Sequence, residues 1–146
     1  TQIVGLAVAG VSWMYASQEI TDMVSRIGLT FPVASSSVAA AMAALVDETH
    51  INYVFQTNRR LRNAFSESMK NLGLKVYPSQ TNFVLLEFKP GEHSAVACAD
   101  YLSSQGIAIR RFASPAYENC IRVTIGIEPD MKRIEAEIAI FLNKQN

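Results

Sequence analysis

The most chemically informative residue of this sequence is an arginine enclosed by apolar, β-branched neighbours. Arg122 lies in the segment IRVTIG at residues 121–126, whose composition is typical of a buried β-strand. Burying a guanidinium without a partner lowers the free energy of unfolding by on the order of several kcal/mol. We therefore expect an anion to meet Arg122, unless the strand lies at a sheet edge and the arginine pairs there with a nearby carboxylate side chain.

The composition argues against several classes of function. The chain has 146 residues, of which 49% are hydrophobic, which is the length of one domain with enough apolar side chains for a core. Its 13 Lys+Arg balance its 13 Asp+Glu, and no basic face predicts binding to nucleic acid. No apolar run has the length of a membrane span, and the apolar start lacks the positive region of a signal peptide.

The residues that bind metals most often are scattered. Cys98 and Cys120 have no metal-ligand spacing, and His50 and His93 have no acid or cysteine at ligand distance in the sequence. We therefore expect no metal site. The two cysteines are typical of buried, reduced thiols, which favours a cytoplasmic protein.

Hydrophobic periodicity predicts five helices and four short strands. The predicted helices cover residues 17–28, 38–46, 51–72, 92–104 and the segment from 129 onward. The predicted strands cover residues 75–77, 83–88, 107–110 and 121–125. This order predicts an α+β fold, a two-layer sandwich in which helices pack on a small, mostly antiparallel sheet.

Two expectations about burial follow from the same patterns. The strand at residues 83–88 is apolar on both faces, which predicts a central strand covered on both sides. Arg59, Arg60 and Arg62 lie largely off the apolar stripe of the third helix. They are therefore expected to form a solvated face and not a binding patch.

Three segments in a fixed order resemble one enzyme family. They are LGLKVYPSQTNFV at residues 72–84, GIAIRR at 106–111 and IRVTIG at 121–126. Together they resemble the C-terminal small domain of fold-type I pyridoxal-phosphate-dependent aminotransferases, and most closely the histidinol-phosphate aminotransferases. The resemblance runs along nearly the whole chain but covers only the C-terminal part of such an enzyme. It implies a sheet and helices of the aminotransferase small-domain type.

The resemblance also implies roles for three residues in substrate binding. Arg122 matches the arginine that holds the substrate carboxylate through two parallel hydrogen bonds. Arg110 matches the arginine at the far end of the substrate, where histidinol-phosphate enzymes bind the phosphate; alternatively, it pairs at the surface with Glu118 or Glu87. Asn82 matches an asparagine beside the cleft, although it could equally satisfy backbone groups in a turn.

The N-terminal segment departs from the family pattern. Aligned without gaps, it places Gln2 at the position of the lysine that forms the Schiff base, and an amide cannot form that bond. The arginine that binds the cofactor phosphate is replaced by Gly10, or by Ser12 if the register shifts by two residues. The large domain that holds the cofactor ring is not in the sequence either. We therefore expect pyridoxal phosphate in the parent enzyme, no covalent cofactor here, and no catalytic residue in this chain.

These observations favour one reading of the whole chain. Residues 1–16 are interpreted as a remnant of a large-domain strand, and residues 17–146 as an aminotransferase small domain that recognises a small-molecule substrate, an amino acid or a phosphorylated amino alcohol. The alternative is a non-catalytic α+β module that binds a small carboxylate or another subunit; a third reading is an inert fragment. Because the apolar residues 1–16 would lack a sheet to join, we expect this segment to pair with a second copy or to fold back over the small domain. Of the two, we favour the homodimer formed by strand exchange.

Overall fold

The computed structural model describes residue 6, residues 9–28 and residues 33–143. It divides the chain into two compact units, Thr1–Phe55 and Gln56–Asn146. The boundary falls within the third helix. The predicted boundary after residue 16 is a different division of the chain, and it stays a prediction.

The first unit contains two complete helices and the start of a third. Helix α1 covers Gln18–Ile27, α2 covers Ser35–Leu45, and α3 begins at Glu48 and ends at Asn71. Helices α2 and α3 both begin three residues before their predicted starts. In α3 the reason is a side-chain cap, because the Asp47 carboxylate accepts a hydrogen bond from the backbone N–H of His50 at 2.9 Å.

The second unit contains a three-stranded sheet and two further helices. After the end of α3, its elements are β1 (Lys75–Val76), β2 (Phe83–Glu87), α4 (Ala95–Ser104), a 3-10 turn (Pro115–Tyr117), β3 (Cys120–Thr124) and α5 (Glu128–Asn143). The strand order is β1-β2-β3, and both pairings are antiparallel. The predicted α+β fold with a small antiparallel sheet is therefore confirmed.

Two predicted elements of this unit are shorter in the structure by more than one residue. Helix α4 starts at Ala95 and not at residue 92, because the Ser94 side chain caps it by accepting a hydrogen bond from the N–H of Ala97. The predicted strand at residues 107–110 contributes only one bridge, in which Arg110 pairs with Arg122 of β3. Alternating apolar residues favoured a full strand there, but the segment joins β3 only at its last residue.

One face of the sheet and three helices form the core. From β2 and β3, Val84, Leu86, Ile121 and Val123 point into it and are at most 1% exposed. The helices contribute the side chains Phe65 and Met69 from α3, Leu102 from α4, and Met131, Ile138 and Phe141 from α5. Burying a large apolar side chain stabilises a fold by about 1.5–3 kcal/mol, so this layer holds the sheet in place.

The second face of the sheet is not covered to the same extent. Strand β2 is central, as predicted, but its residues alternate between partly exposed and buried along the strand. Phe83, Leu85 and Glu87 are partly exposed in the part of the chain that the structure describes. The prediction of a strand buried on both faces was therefore wrong. We call this second side of the sheet the open face.

The packing of α5 leads to the first prediction. Ile138 is fully buried, whereas Ile140 on the same helix is 48% exposed. Replacing Ile138 with alanine is expected to lower the free energy of unfolding by about 2–5 kcal/mol, since it removes a core side chain and leaves a cavity. The matched change Ile140→Ala should cost far less. Urea denaturation of both variants measures the difference, and equal losses would contradict this assignment of the core.

Candidate functional site

Strand β3 places Arg122 on the open face because side chains alternate along a strand. Ile121 and Val123 both enter the core and are 0% and 1% exposed. Arg122 lies between them and must point to the other side, where it is partly buried. Its register partner on β2 is Leu85. The arginine is therefore fixed in direction by the two residues that flank it.

The guanidinium of Arg122 has an unsatisfied donor. Its Nε is buried and has no hydrogen-bond partner among the described residues. The guanidinium carbon lies 4.8 Å from the centroid of the Phe83 ring, so one face of the cation is covered by an aromatic ring. A buried polar atom without a partner is unusual in a folded protein and calls for an explanation. An anion on the open face would meet the terminal nitrogens of this guanidinium, beside the enclosed Nε.

Arg110 lies directly beside Arg122. The two residues exchange both backbone hydrogen bonds, at 3.1 Å from the Arg110 N–H and 2.8 Å from the Arg122 N–H. Residues paired in this way project their side chains from the same face of a sheet. Two like charges in such a pair repel each other unless an anion neutralises them. The structure thus brings together the two arginines that were predicted to bind substrate.

The carboxylates suggested as alternative partners of Arg110 are not paired with it in the described residues. Glu87 instead forms an ion pair with Lys75 at 2.7 Å and accepts a hydrogen bond from the Tyr77 hydroxyl. The hydrogen bond from Lys75 is the main reason why the pKa of Glu87 is lowered, and the same contact raises the pKa of Lys75. Glu87 therefore stays ionised and engaged at the far side of the open face.

Asn82 lies just before β2 and is exposed. Its backbone carbonyl accepts a hydrogen bond from the N–H of Ile125 at 2.8 Å, which extends the pairing of β2 with β3 by one step. The turn before it is organised by other residues: the Ser79 hydroxyl accepts from the N–H of Thr81 and donates to the carbonyl of Phe83. The role of the Asn82 side chain in substrate binding stays a prediction.

Arg62 was expected in a solvated face, and this expectation was wrong. Only 6% of Arg62 is exposed, and its guanidinium donates a hydrogen bond to the carbonyl of Thr81 at 3.1 Å. Arg60, in contrast, is a surface residue that pairs with Glu128 at 2.9 Å. The sequence did contain a signal, because Arg62 precedes the buried Phe65 and Met69 by three and seven residues, on the same helix face.

The two cysteines are buried and unpaired, as predicted. Burial raises the pKa of the Cys98 thiol to about 12 and also raises the pKa of the Cys120 thiol. Neither thiol is therefore prepared for nucleophilic chemistry. The described residues also contain no group of three His, Cys, Asp or Glu side chains that could hold a metal ion. Among the described helices, none is long and apolar enough to cross a membrane.

A cavity of about 600 Å³ lies next to the sheet, but it is not the site of the two arginines. It is lined by the Lys75–Glu87 pair, Lys89, His93 and residues of the loop that follows α3. Lys75 and Glu87 neutralise each other there. The paired arginines on the open face carry net positive charge without a protein counter-ion among the described residues, and we therefore take them as the candidate site.

Comparison with known proteins assigns the family. The model of aminotransferase class I and II matches residues 5–138. The chain belongs to this family. The match includes β1, β2 and β3 and both arginines of the open face, so the resemblance seen in the sequence is confirmed.

Several relatives carry a more specific name. The chain is 33% identical to the histidinol-phosphate aminotransferase of Paracoccus denitrificans over 142 residues, which cover 97% of this chain and 38% of that protein. It is also 33% identical to the enzyme of the same name from Nitrobacter winogradskyi, covering 88% of this chain and 35% of that protein. The chain thus spans less than half the length of these curated relatives.

The solved structures agree with the sequence relatives. The histidinol-phosphate aminotransferase of Sinorhizobium meliloti, solved in complex with pyridoxal-5'-phosphate, is 27% identical and superimposes with a TM-score of 0.77. The match covers 88% of this chain and 35% of that one. A histidinol-phosphate aminotransferase from Erwinia carotovora atroseptica, at 23% identity and a TM-score of 0.78, shares the fold.

The described residues do not fit pyridoxal phosphate. Gly10 has a φ of +62° and offers no side chain to a phosphate, and Gln2 lies outside the described residues. Lys70, Lys75 and Lys132 are each held in an ion pair with a glutamate. A lysine that forms a Schiff base needs a lowered pKa, whereas the pKa of Lys75 is raised by its hydrogen bond to Glu87.

The Lys75–Glu87 pair predicts a pH dependence of stability. Since the pKa of Glu87 is lower in the folded chain than its ordinary 4.5, the pair stabilises the fold above pH 4.5. That contribution is lost as the pH falls through the folded pKa. The difference in the free energy of unfolding between the wild type and Glu87→Gln should therefore be largest near neutral pH and shrink in acid. Urea titrations across this range measure it. The control is Glu92→Gln, since Glu92 is exposed and has no ion-pair partner among the described residues.

Proposed function

We propose that this chain is the substrate-recognition part of an aminotransferase of the histidinol-phosphate type. The observation that carries the proposal is the pair of arginines on the open face, in which the buried Nε of Arg122 has no partner among the described residues. The names of the relatives support the type of substrate. In this proposal residues 17–146 form the small domain, and residues 1–16 are a remnant of a large-domain segment.

Each arginine has its own task in this proposal. Arg122 binds the carboxylate of an amino acid, because a planar guanidinium donates two parallel hydrogen bonds to such a group. The Phe83 ring covers one face of the guanidinium and so limits the side from which a substrate approaches. Arg110, which is exposed beside it, binds the opposite end of the substrate, for which a phosphate is the matching charge. Asn82 lies at the rim of the same face and completes the binding set.

The chain's own residues bind and orient a substrate but do not transfer an amino group in this proposal. Glycine at position 10 and glutamine at position 2 leave the cofactor without its family contacts. These same residues favour the second candidate, a non-catalytic module that binds a small carboxylate or joins another subunit. Both candidates share the arginine site and differ only in whether an amino-transfer reaction follows binding.

The setting of the proposed function follows from the relatives and the thiols. A transaminase of the histidinol-phosphate type would act in histidine biosynthesis, as a step of amino-acid metabolism. The free, buried Cys98 and Cys120 are consistent with the reducing cytoplasm. We therefore propose a cytoplasmic protein that takes a small phosphorylated amino alcohol or an amino acid as its ligand.

The arginine site is tested by anion binding. Titration with acetate and with inorganic phosphate, followed by calorimetry, should show binding to the wild type. Arg122→Met is expected to weaken binding at least about tenfold, since a hydrogen bond to a charged group contributes about 1.5–3 kcal/mol. Arg122→Lys should bind with intermediate affinity, because it keeps the charge but not the two parallel donors. Arg59→Met, a change at an exposed arginine of α3, is the matched control. Unchanged affinity in Arg122→Met would contradict the proposal.

The absence of covalent cofactor chemistry is tested with pyridoxal phosphate itself. The chain is incubated with an equimolar amount of pyridoxal phosphate, reduced with borohydride and analysed by peptide mass spectrometry. We expect that no lysine is labelled stoichiometrically. The physical reason is that Lys70, Lys75, Lys89 and Lys132 are all exposed, so none of the described lysines lies in the apolar pocket that would activate it as a nucleophile. One lysine labelled stoichiometrically, with a matching absorbance band lost on reduction, would show that the chain forms a Schiff base.

We also propose a homodimer formed through the N-terminal segment. Trp13 is 79% exposed and Tyr15 is 96% exposed, which is unusual for large side chains without a binding partner. Sedimentation velocity at micromolar concentration should detect a dimer, and Trp13→Ser should shift it toward the monomer. A wild-type chain that sediments as a monomer at every concentration would contradict this proposal.

A further inference from the structure

A second arginine, which is not part of the arginine pair on the open face, is buried without a carboxylate partner among the described residues. Arg62 of α3 is 6% exposed, and its two terminal nitrogens donate to oxygens of the loop before β2. The shorter contact is to the Thr81 carbonyl at 3.1 Å, and the longer one is to the side-chain oxygen of Gln80 at 3.5 Å. Burying a cation costs far more than burying an apolar side chain of the same size, so a task beyond packing is needed to explain it.

The Thr81 carbonyl receives a second donor from the same helix. The Asn58 amide, one turn before Arg62, donates to it at 3.2 Å. Two side chains of α3 therefore hold one peptide oxygen. The Thr81 N–H belongs to the preceding peptide, and the Ser79 hydroxyl accepts from it at 3.1 Å and donates to the Phe83 carbonyl at 2.6 Å. Both peptides that flank Thr81 are therefore held, the one before it by Ser79 and the one that leads into Asn82 by the two side chains of α3.

The next two residues along the chain belong to the candidate site. Asn82 bonds through its backbone to Ile125, and the ring of Phe83 lies 4.8 Å from the guanidinium carbon of Arg122. The direction of the Phe83 side chain depends on the backbone at residues 82 and 83. A rotation of the Thr81 peptide would therefore move the ring away from Arg122.

We propose that Arg62, assisted by Asn58, is a positioning residue for the anion site of Arg122. It holds the Thr81 peptide, which places the Phe83 ring over the Arg122 guanidinium and orients that cation toward the ligand. A cation suits this task because a charged donor binds a carbonyl about twice as strongly as a neutral one. This inference rests on the proposed function, since it assumes that Arg122 binds an anion.

The test uses the full chain and a resonance that belongs to Arg122 itself. The Nε–H group of Arg122 lies beside the Phe83 ring, whose ring current displaces its NMR frequency even without ligand. The first readout is this frequency in the ligand-free protein. The second is the dissociation constant for acetate and inorganic phosphate, and the third is the thermal unfolding midpoint. The variants are Arg62→Met, Arg62→Lys and Asn58→Ala, with Arg59→Met as the matched control on the same helix.

In the variants that lose a donor, the Arg122 Nε–H resonance should move toward the frequency of a free arginine. Anion binding by Arg62→Met should weaken about tenfold, within the range expected for residues that share one network. Asn58→Ala should change the Arg122 resonance and the dissociation constant in the same direction, but by a smaller amount. Arg62→Lys should keep the resonance and the dissociation constant close to those of the wild type, because its ammonium still reaches the Thr81 carbonyl. Arg59→Met should change neither quantity.

A purely structural role for Arg62 gives a different result. Arg62→Met would then unfold at a lower temperature, while the folded fraction kept the wild-type Arg122 resonance and affinity; that result would overturn the inference. If Arg62→Met does not fold, the same comparison of the Arg122 resonance and affinity is made with Asn58→Ala, because the Asn58 side chain lies nearer the surface. If the wild type binds neither anion, the proposed function fails, but the ligand-free resonance still shows whether Arg62 positions the ring over Arg122.

Discussion

The site depends on the alternation of side chains along β3. Ile121 and Val123 are buried in the core, and the cost of exposing both prevents the strand from turning over or slipping by one residue. Arg122 is consequently held on the opposite face, where its Nε is enclosed but has no partner among the described residues. The hydrophobic core thus provides the free energy that keeps a charged group in an unfavourable place, ready for an anion.

The bridge to Arg110 adds an electrostatic constraint to this geometry. The guanidinium groups of the bridged Arg110 and Arg122 repel each other. Glu87, one of the two carboxylates that were predicted as alternative partners of Arg110, is already bound by Lys75 and Tyr77. In the proposed function, an anion between or beside the two arginines would reduce this repulsion.

The sequence predicted the parts of this arrangement that depend on local pattern. Periods of two and 3.6 residues identified β2, β3 and the helices, and the apolar neighbours of Arg122 indicated a buried strand. It could not predict that residues 107–110 pair only at Arg110, because pairing is decided by distant strands. Arg62 was missed although it lies on the buried face of α3, because its charge favoured solvent and the carbonyl that accepts its hydrogen bond is 19 residues away in the sequence.

The residues proposed to bind a substrate and the positions predicted to match cofactor contacts of the family lie in different units of the chain. Arg110, Arg122 and Asn82 belong to the unit Gln56–Asn146, which has its own core, whereas Gly10 belongs to Thr1–Phe55. The residues at positions 2 and 10 are not part of the core that supports the arginines. The packing that holds the two arginines in place therefore does not depend on which side chains occupy these two positions.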